Sequence, residues 1–412
     1  MSGLAVGVAV SDITPPAGLA MAGFAARQDP ATGAHDPLTV RALVVGETAL
    51  VVVDVIGLHE EACARVRARA SLPAGNIVLA ATHTHGGPVS MARRVGHGFD
   101  AVWARDMEAA MVAAIDAAVA NRRPATLSFG RGADPGVAVN RRHAGGVTDP
   151  DLPVLRFDGL DGRPIALLAS YACHPVVLGP GNRLYTADYP GFVRRGLEAA
   201  HPGAVALFAT GCCGDANTGH SAASSMTGGA LPGRTFEAAE GYAARIVAAA
   251  GAARMAPVAI GREPAARERV VPLPLAREAV APGLLAERRR AERASAEPTR
   301  ARLLDHWIAW AEGPALDPLV DWPARVSVLS WGGVDIVTLP GEVFAGTALA
   351  IKASARRPTL TLAYGEGCPG YIAPRSEWPH GGYEIMEAHR FYGMAGPFAP
   401  GAAEALVEAA VD

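Results

Sequence analysis

The sequence contains few cysteines and few aromatic residues, and it has little net charge. Its five cysteines are an odd number and form no CxxC pair, which argues against a disulfide framework. Aromatic residues make up only 6% of the chain, so the core must be built mainly from smaller side chains such as alanine and valine. The 37 basic and 40 acidic residues give a net charge of −3, which excludes the strong field typical of proteins that bind nucleic acid or anionic membranes.

Long apolar segments are also absent. No apolar run approaches the ~18 residues of a membrane span, and the N-terminal run lacks a cationic start and is interrupted by Asp12 and Pro15. The densest basic run, three arginines at 288–290, is diluted by glutamates on both sides and is typical of a solvated helix face. We therefore expect a cytoplasmic protein with no membrane anchor and no nucleic-acid partner.

The chain does contain a large apolar fraction. Of its 412 residues, 50% are hydrophobic and 19% are charged, which is typical of a globular protein with a substantial core. Valine-rich runs near the N-terminus predict strands, and apolar residues four apart between 103 and 121 predict a helix. Three apolar segments, 76–88, 165–179 and 205–219, each end in polar residues and a glycine-rich loop. We predict an α/β fold of layered mixed β-sheets flanked by helices, with a metal site at the strand ends.

We expect one domain over residues 1–412, with a helical insertion at 277–322. There the composition changes to arginine, glutamate and alanine, and Leu303, Trp307 and Trp310 recur at helical spacing. Such an insertion could cover the site as a lid or form a contact in a homo-oligomer.

The motif THTH places His83 and His85 after the first apolar segment. If the strand continues to this point, both imidazoles project from one face, and such a pair commonly begins a zinc site. His174 follows the second apolar segment, where a single histidine is more often a hydrogen-bonded residue than a metal ligand. Taken alone, these histidines can also be incidental.

Two acidic residues stand before predicted helices. Asp188 precedes Pro190 and can be either a helix N-cap or a site residue. Glu342 is stabilised there by the helix dipole, but it can also complete a His/His/carboxylate zinc set that leaves a position for water. The GCCGDAN loop at 211–217 has no base or cation beside its cysteines, so neither thiol is predicted to be a nucleophile.

These motifs occur in an order that resembles a known family. SDITPP, THTHGGP, YACHP, TADYPG, ATGCCGDANTG, LPGE, GYIAPRSEW and GGYE follow one another between residues 11 and 384, as in the neutral/alkaline (non-lysosomal) ceramidases. The chain is similar to the N-terminal amidase domain of that family, and by length to its compact single-domain relatives. The resemblance implies a zinc-dependent amidase.

The resemblance also implies roles for individual residues. Those that would bind zinc are His83, His174, Glu342 and Tyr371. His85 would lie beside the metal, and Arg141 would hold the polar group of the substrate. Asp188 and Asp215 would lie near the site or organise its loops. Asn217 stands where family ceramidases carry a serine, which implies a different acyl substrate or a different geometry.

The implied reaction is hydrolysis of an amide, lactam or ester bond by metal-activated water. Arg141 or Tyr371 would stabilise charge on the carbonyl oxygen, and His85 would transfer a proton to the leaving amine. Because no export signal or amphipathic anchor is visible, a small soluble amide or N-acyl compound is at least as good a candidate substrate as ceramide. Two alternatives stay open, namely a two-metal phosphoesterase, whose usual Asp-x-His pair is missing, and a non-catalytic zinc-binding protein with a closed site.

Overall fold

Short valine-rich segments form strands in this protein, and alanine-rich segments form helices. The computed structural model describes residues 3–225, 232–259, 261, 263–277, 281–313 and 319–411. The strands are β1 (Leu4–Asp12), β2 (Gly33–Ala34), β3 (Thr39–Val45), β4 (Thr48–Val53), β5 (Ile77–Ala81), β6 (Arg123–Gly132), β7 (Val139–Asn140), β8 (Leu152–Gly159), β9 (Pro164–Tyr171), β10 (Leu184–Tyr185), β11 (Val205–Thr210), β12 (Ala216–Asn217), β13 (Ala256–Pro257), β14 (Ala265–Leu273), β15 (Trp322–Trp331), β16 (Val334–Thr338), β17 (Glu342–Val343), β18 (Thr359–Leu362) and β19 (Tyr371–Ile372).

The α-helices lie between and after these strands. They are α1 (Glu60–Arg69), α2 (Ala101–Ala120), α3 (Tyr189–Ala200), α4 (Phe236–Gly251), α5 (Pro282–Arg293), α6 (Pro298–Ala311), α7 (Ala345–Ser354), α8 (Tyr383–Met386) and α9 (Ala402–Val411). Short 3-10 helices lie at Ala74–Asn76, Ala222–Ser225, Arg375–His380 and Ala388–Tyr392. Of the helices that the structure describes, none is both long enough and apolar enough to cross a membrane.

Two sheets form the centre of the fold. The larger, mixed sheet has the order β11-β9-β8-β6-β1-β3-β4-β5, with β13 added beside β6. The pairs β9–β11 and β4–β5 are parallel, whereas β3 and β4 form an antiparallel hairpin that turns at Gly46. The second sheet has the order β14-β15-β16-β18.

The two sheets pack face to face, and helices cover their outer faces. Leu43 and Leu168 of the larger sheet share one buried cluster with Trp331 and Ile336 of the second sheet. On the outside, α2, α3 and α4 pack on the larger sheet, whereas α7 and α9 pack on the second sheet. The predicted α/β class with layered mixed sheets is confirmed.

The segment 362–365 bridges the two edges of the larger sheet. The amide of Ala363 donates to the carbonyl of Thr210 at the end of β11 (3.1 Å), and the carbonyl of Tyr364 accepts from Ala81 at the end of β5 (3.1 Å). The Thr210 hydroxyl also donates to the carbonyl of Thr82 (2.7 Å). As a result, the carboxyl ends of β5, β9 and β11 lie side by side, although β5 and β11 stand at opposite ends of the strand order.

Several elements lie where the sequence predicts them. The buried face of α2 is formed by Trp103, Met107, Met111 and Ile115, as the four-residue spacing indicates. The region 277–322 contains the helices α5 and α6, whereas its residues 278–280 and 314–318 fall outside the described residues. Whether it acts as a lid stays a prediction.

Candidate metal centre

Three buried polar side chains converge at the carboxyl ends of the strands. His83 follows β5, His174 follows β9, and Glu342 begins β17. Nε2 of His83 lies 2.9 Å from Nε2 of His174, and Oε2 of Glu342 lies 3.3 Å and 3.1 Å from these two nitrogens. Each of the three residues is only 1% exposed, so bulk water screens their interaction only weakly.

Backbone carbonyls select the tautomer of the two imidazoles. Nδ1 of His83 lies 2.5 Å from the carbonyl oxygen of Ile56, and Nδ1 of His174 lies 2.9 Å from that of Cys213. Because a carbonyl oxygen can only accept, the proton of each neutral ring lies on Nδ1, and Nε2 of that form presents a lone pair. This is the outer hydrogen bond that orients a metal-binding histidine.

Three lone-pair atoms at this spacing fit a divalent cation. Oε2 of Glu342 has no hydrogen-bond donor among the described residues, although it is buried. Zinc bonds to nitrogen and oxygen are about 2.0–2.2 Å long, so neighbouring ligands of a tetrahedral zinc are roughly 3.3 Å apart. The observed separations agree with that spacing, and without a cation the lone pairs would repel one another.

Electrostatics keeps these groups in the forms that bind a metal. Burial lowers the pKa of His174 to about 4, and the neighbouring His83 adds to this effect, so the ring of His174 is neutral at pH 7. Burial alone would raise the pKa of Glu342, but the positive charge and hydrogen bonds that the two histidines supply when they are protonated hold it well below its usual value. Glu342 is therefore a carboxylate at neutral pH.

His83 reaches the site by a route that the sequence does not indicate. The expectation that His83 and His85 lie on one face of a strand is wrong, because β5 ends at Ala81 and His83 has a φ of +66°. Such a left-handed backbone is uncommon outside glycine and marks a constrained position. The ring of Tyr364 stacks on His83 with the centroids 4.0 Å apart, which helps to hold it there.

His85 nevertheless joins the same cluster. Its Nε2 lies 3.4 Å from Nε2 of His83, and ring nitrogens of His83, His85 and His174 lie within 4.8 Å of one another. Burial lowers the pKa of His85 well below its usual value, and the two other histidines add to the effect. A neutral imidazole beside the centre can serve as a further ligand or as a base.

The comparison with protein families agrees with this arrangement. The family model described as "Neutral/alkaline non-lysosomal ceramidase, N-terminal" matches residues 4–230. The chain belongs to this family. The matched residues 4–230 include the motifs THTH and YACHP. Glu342 and Tyr371 lie beyond residue 230, and the fold brings them to the same site.

Solved structures of ceramidases share the fold. The neutral ceramidase from Pseudomonas aeruginosa is 19% identical in sequence, with a TM-score of 0.75, and the match covers 100% of this chain and 74% of that one. A ceramidase structure described as complexed with C2 gives 19% identity and a TM-score of 0.77 over 100% of this chain and 75% of that chain. At this identity the likeness establishes the fold of this ceramidase-family protein.

Tyr371 and Arg141 form the other side of the centre. The short parallel pairing of β17 with β19 places Tyr371 opposite Glu342. Nη2 of Arg141 donates to the hydroxyl of Tyr371 (2.9 Å), and its Nε donates to Glu384 (2.9 Å). Burial raises the pKa of Tyr371 well above its usual value, so the phenol is protonated unless a cation binds it.

Hydrogen bonds to other groups of the protein engage the side chains of Asp188, Asp215 and Asn217. Asp188 accepts from the amides of Leu178 (3.0 Å) and Tyr189 (2.7 Å), and so caps α3. The carboxylate of Asp215 accepts from the amide of Ala345 (2.8 Å) and from Nδ2 of Asn140 (3.1 Å).

Asn217 lines the cavity, but its amide is engaged within its own loop. Oδ1 accepts from the amides of Gly219 (2.8 Å) and His220 (2.9 Å), and Nδ2 donates to the carbonyl of His220 (2.7 Å). These contacts give Asp188, Asp215 and Asn217 the role of organising loops, which is one of the two roles expected for the aspartates. A direct part in catalysis stays a prediction.

Sequence reasoning misses several residues of this ceramidase-family site. The hydroxyl of Tyr392 makes a short hydrogen bond to Oε1 of Glu342, and that of Tyr364 lies 3.3 Å from Nδ1 of His174. Both nitrogens at the end of the Arg27 side chain donate to the carbonyl of His85 (2.9 Å). Tyr392 and Arg27 lie in segments without a recognisable motif, so only the fold reveals them.

A cavity of about 560 Å³ opens onto the centre. The residues that line it include His85, His174, Arg141, Glu342 and Tyr371. Its apolar lining includes Phe24, Val95, Leu303 and Phe391. Helix α6 contributes part of this wall, so the predicted insertion borders the cavity.

Proposed function

We propose that this chain is a zinc-dependent amidohydrolase that cleaves the amide bond of an N-acyl substrate. The proposal is supported by family membership and, above all, by the three potential ligand atoms of His83, His174 and Glu342 that face one another within 3.3 Å. Imidazole and carboxylate ligands favour zinc among the common divalent metals. His83, His174 and Glu342 would hold the ion, with Tyr371 and His85 as the candidates that complete its ligands.

A bound zinc ion supplies Lewis acidity, which lowers the pKa of water and polarises a carbonyl group. Next to it, the protonated Arg141 and the hydroxyl of Tyr371 donate hydrogen bonds to charge that develops on the carbonyl oxygen. One hydrogen-bond donor aimed at such an oxygen typically lowers the activation barrier by about 3 kcal/mol. Glu384 accepts from Nε of Arg141 and holds its guanidinium in this direction.

His85 is the candidate for moving the proton. Because its pKa lies well below the usual value, its ring is neutral at pH 7 and can accept a proton before it donates one to the leaving nitrogen. Its Nδ1 is buried without a hydrogen-bond partner among the described residues, so no other group of the described chain fixes its protonation.

The cavity supports an N-acyl substrate. The scissile carbonyl would lie beside the metal centre, and the apolar side chains of Phe24, Val95 and Leu303 would contact an acyl chain. Ceramide, the substrate class named by the similar structures, is such an N-acyl compound. Among the described residues one cluster of three metal-ligating side chains is found, which favours a single-metal centre over the two-metal site of a phosphoesterase.

Metal analysis combined with an amide assay tests the proposal. The purified protein should contain about one zinc ion and should lose turnover of N-acyl amines when a chelator removes it. His83→Ala should lose the ion and at least ~100-fold in kcat/KM, whereas His380→Ala, which removes an exposed histidine outside the centre, should change neither. Full turnover by metal-free protein would contradict the proposal.

A further inference from the structure

Arg234 is a buried cation in the wall of the cavity, and it has no counter-ion within ion-pair distance among the described residues. The residue is only 9% exposed. Nε and Nη1 are buried without a hydrogen-bond partner in the described part of the chain. A buried guanidinium without a partner lowers the stability of a fold, so its presence in a cavity wall points to a ligand.

Aromatic and backbone contacts hold Arg234 in place. Its guanidinium carbon lies 5.7 Å from the centroid of the Phe24 ring, whose centroid is 4.9 Å from that of the His85 ring. The chain passes closely at Gly179, where a Cβ atom would lie 2.9 Å from Cδ of Arg234. The ring of Phe24 therefore lies between Arg234 and His85, the proposed catalytic base.

Arg27 adds a second buried cation at the same ring. It is also 9% exposed, and its guanidinium carbon lies 4.7 Å from the Phe24 centroid. Two of its nitrogens are bound to the carbonyl of His85, but its Nε is buried without a partner among the described residues. Phe24 thus lies beside two arginines, and both line the cavity.

The acidic residues that line this cavity are already engaged. Asp29 lies 3.7 Å from Arg183, Asp305 pairs with Arg293, and Glu342 belongs to the metal centre. Asp188 interacts electrostatically with Arg234 over a longer distance, and its carboxylate accepts hydrogen bonds from two backbone amides. The described acids that line the cavity therefore leave the positive charge near Phe24 unbalanced.

We propose that Arg234, assisted by Arg27, binds a carboxylate group carried by the substrate. The inference rests on the proposed amidohydrolase function and narrows its substrate class to anionic amides. The carboxylate can belong to the amine half of the amide, as in an N-acyl amino acid, or to the acyl half, as in the monoamide of a dicarboxylic acid. A neutral lipid amide would leave both arginines without a partner.

Two matched pairs of amides test the inference with the metal-loaded full chain. The first pair is N-octanoylglycine and N-octanoylethanolamine, and the second is the ethanolamine monoamide of octanedioic acid and its methyl ester. We expect the acid of at least one pair to exceed its neutral partner by roughly 10- to 100-fold in kcat/KM, the range expected for hydrogen bonds to a charged group. The pair that shows the preference identifies the half of the substrate that carries the charge.

Variants assign that preference to Arg234. Arg234→Gln should bring the acid-to-neutral ratio close to one, mainly through a higher KM for the acid, because this side chain lies away from the reacting atoms. Arg234→Lys should keep part of the ratio, and Gly179→Ala should lower it by displacing the arginine. Arg163→Gln, which removes an exposed arginine, should leave the ratio unchanged.

Two results would overturn the inference without touching the hydrolase function: equal rates for both members of each pair, or a ratio that survives Arg234→Gln. If none of the four amides is cleaved, the proposed function fails, and binding then decides the inference separately. Calorimetric titration with octanoate should give a dissociation constant roughly 10-fold weaker for Arg234→Gln than for the unmodified protein. Equal octanoate binding by the two proteins would reject the anion site.

Discussion

The hydroxyl of Tyr392 determines which oxygen of Glu342 faces the histidines. It donates to Oε1, which leaves Oε2 directed at Nε2 of His83 and His174. Tyr392→Phe removes this hydrogen bond and frees the carboxylate to rotate. Because outer hydrogen bonds to metal ligands typically contribute 10- to 100-fold, we expect zinc affinity to weaken by about that factor. Competition with a fluorescent chelator measures it.

Tyr242→Phe is the matched control for this variant. Tyr242 packs against the cluster between α4 and the sheet, away from the metal centre. Its hydroxyl can be removed without an expected change in zinc affinity. Equal affinities of the two variants would show that Tyr392 does not orient Glu342.

His220 provides a prediction about pH. Burial lowers its pKa from 6.5 to about 4, and the nearby Arg234 adds to the effect. Since the folded form binds the proton less well than the unfolded chain, the contribution of neutral His220 to stability is fully present above pH 6.5 and is lost as pH falls toward 4. Half-burial limits this contribution to about 1 kcal/mol.

The variant His220→Gln isolates this contribution. Urea unfolding at a series of pH values should show a smaller loss of stability between pH 6.5 and 4 for the variant than for the unmodified protein. His380→Gln, at an exposed position, should keep the full pH dependence. Parallel curves for all three proteins would rule out a neutral, buried His220.

At the level of residues, the sequence identifies which motifs belong to the site but not how their side chains are arranged. THTH and YACHP lead to His83, His85 and His174, because polar residues after apolar strands stand out. Arg27 and Arg234 do not stand out, since an arginine in a loop is usually solvated and nothing local indicates burial. Their position depends on packing against Phe24, which the sequence pattern does not specify.

Helix α6 packs against the segment that carries Tyr392. Trp307 is 1% exposed and contacts Phe391 at a centroid distance of 6.1 Å, and Nε1 of Trp310 donates to the carbonyl of Met394 (2.8 Å). Trp307→Ala should cost about 3–5 kcal/mol of packing. Since α6 also lines the cavity, we expect a higher KM together with faster proteolysis within 277–322.

Leu284→Ala serves as the control on the neighbouring helix α5. Leu284 is 44% exposed, so its truncation should change neither KM nor the proteolysis rate by much. If Trp307→Ala leaves both values unchanged, α6 does not hold the cavity wall, and the proposal that this insertion acts as a lid loses its support.

At the level of elements, local patterns predict helix α2 and the strands near the N-terminus. Four-residue spacing predicts α2, and the valine-rich runs predict β3 and β4. The pairing of β17 with β19 is not predictable in this way, because each strand has two residues and their partners are distant in sequence. That pairing nevertheless brings Tyr371 beside Glu342.

For the whole molecule, metal removal should lower stability. A ligand that binds only the folded state at 100 to 1,000 times its dissociation constant contributes about 3–4 kcal/mol. We therefore expect a chelator to lower the free energy of unfolding by about that amount in urea titrations. His83→Ala should show no chelator effect, and an equal effect on both proteins would point to a metal elsewhere.

The layered fold follows from composition and strand pattern, whereas the convergence of the strand ends does not. Nothing in the sequence indicates that β5 and β11 stand at opposite ends of the strand order, or that 362–365 bridges them. Hydrogen bonds between segments far apart in sequence decide this, and their register is a property of the complete fold. The family resemblance compensates for what the residue pattern leaves open.

The bridge formed by 362–365 has a consequence for biosynthesis. A nascent chain that has left the ribosome only as far as Thr210 has both border strands of its main sheet, yet the segment that joins them is still unmade. Exposed strand borders of this kind can pair with those of other polypeptides. We therefore expect translation products that stop before the bridge to aggregate, and chaperones to be needed until residues 362–365 emerge.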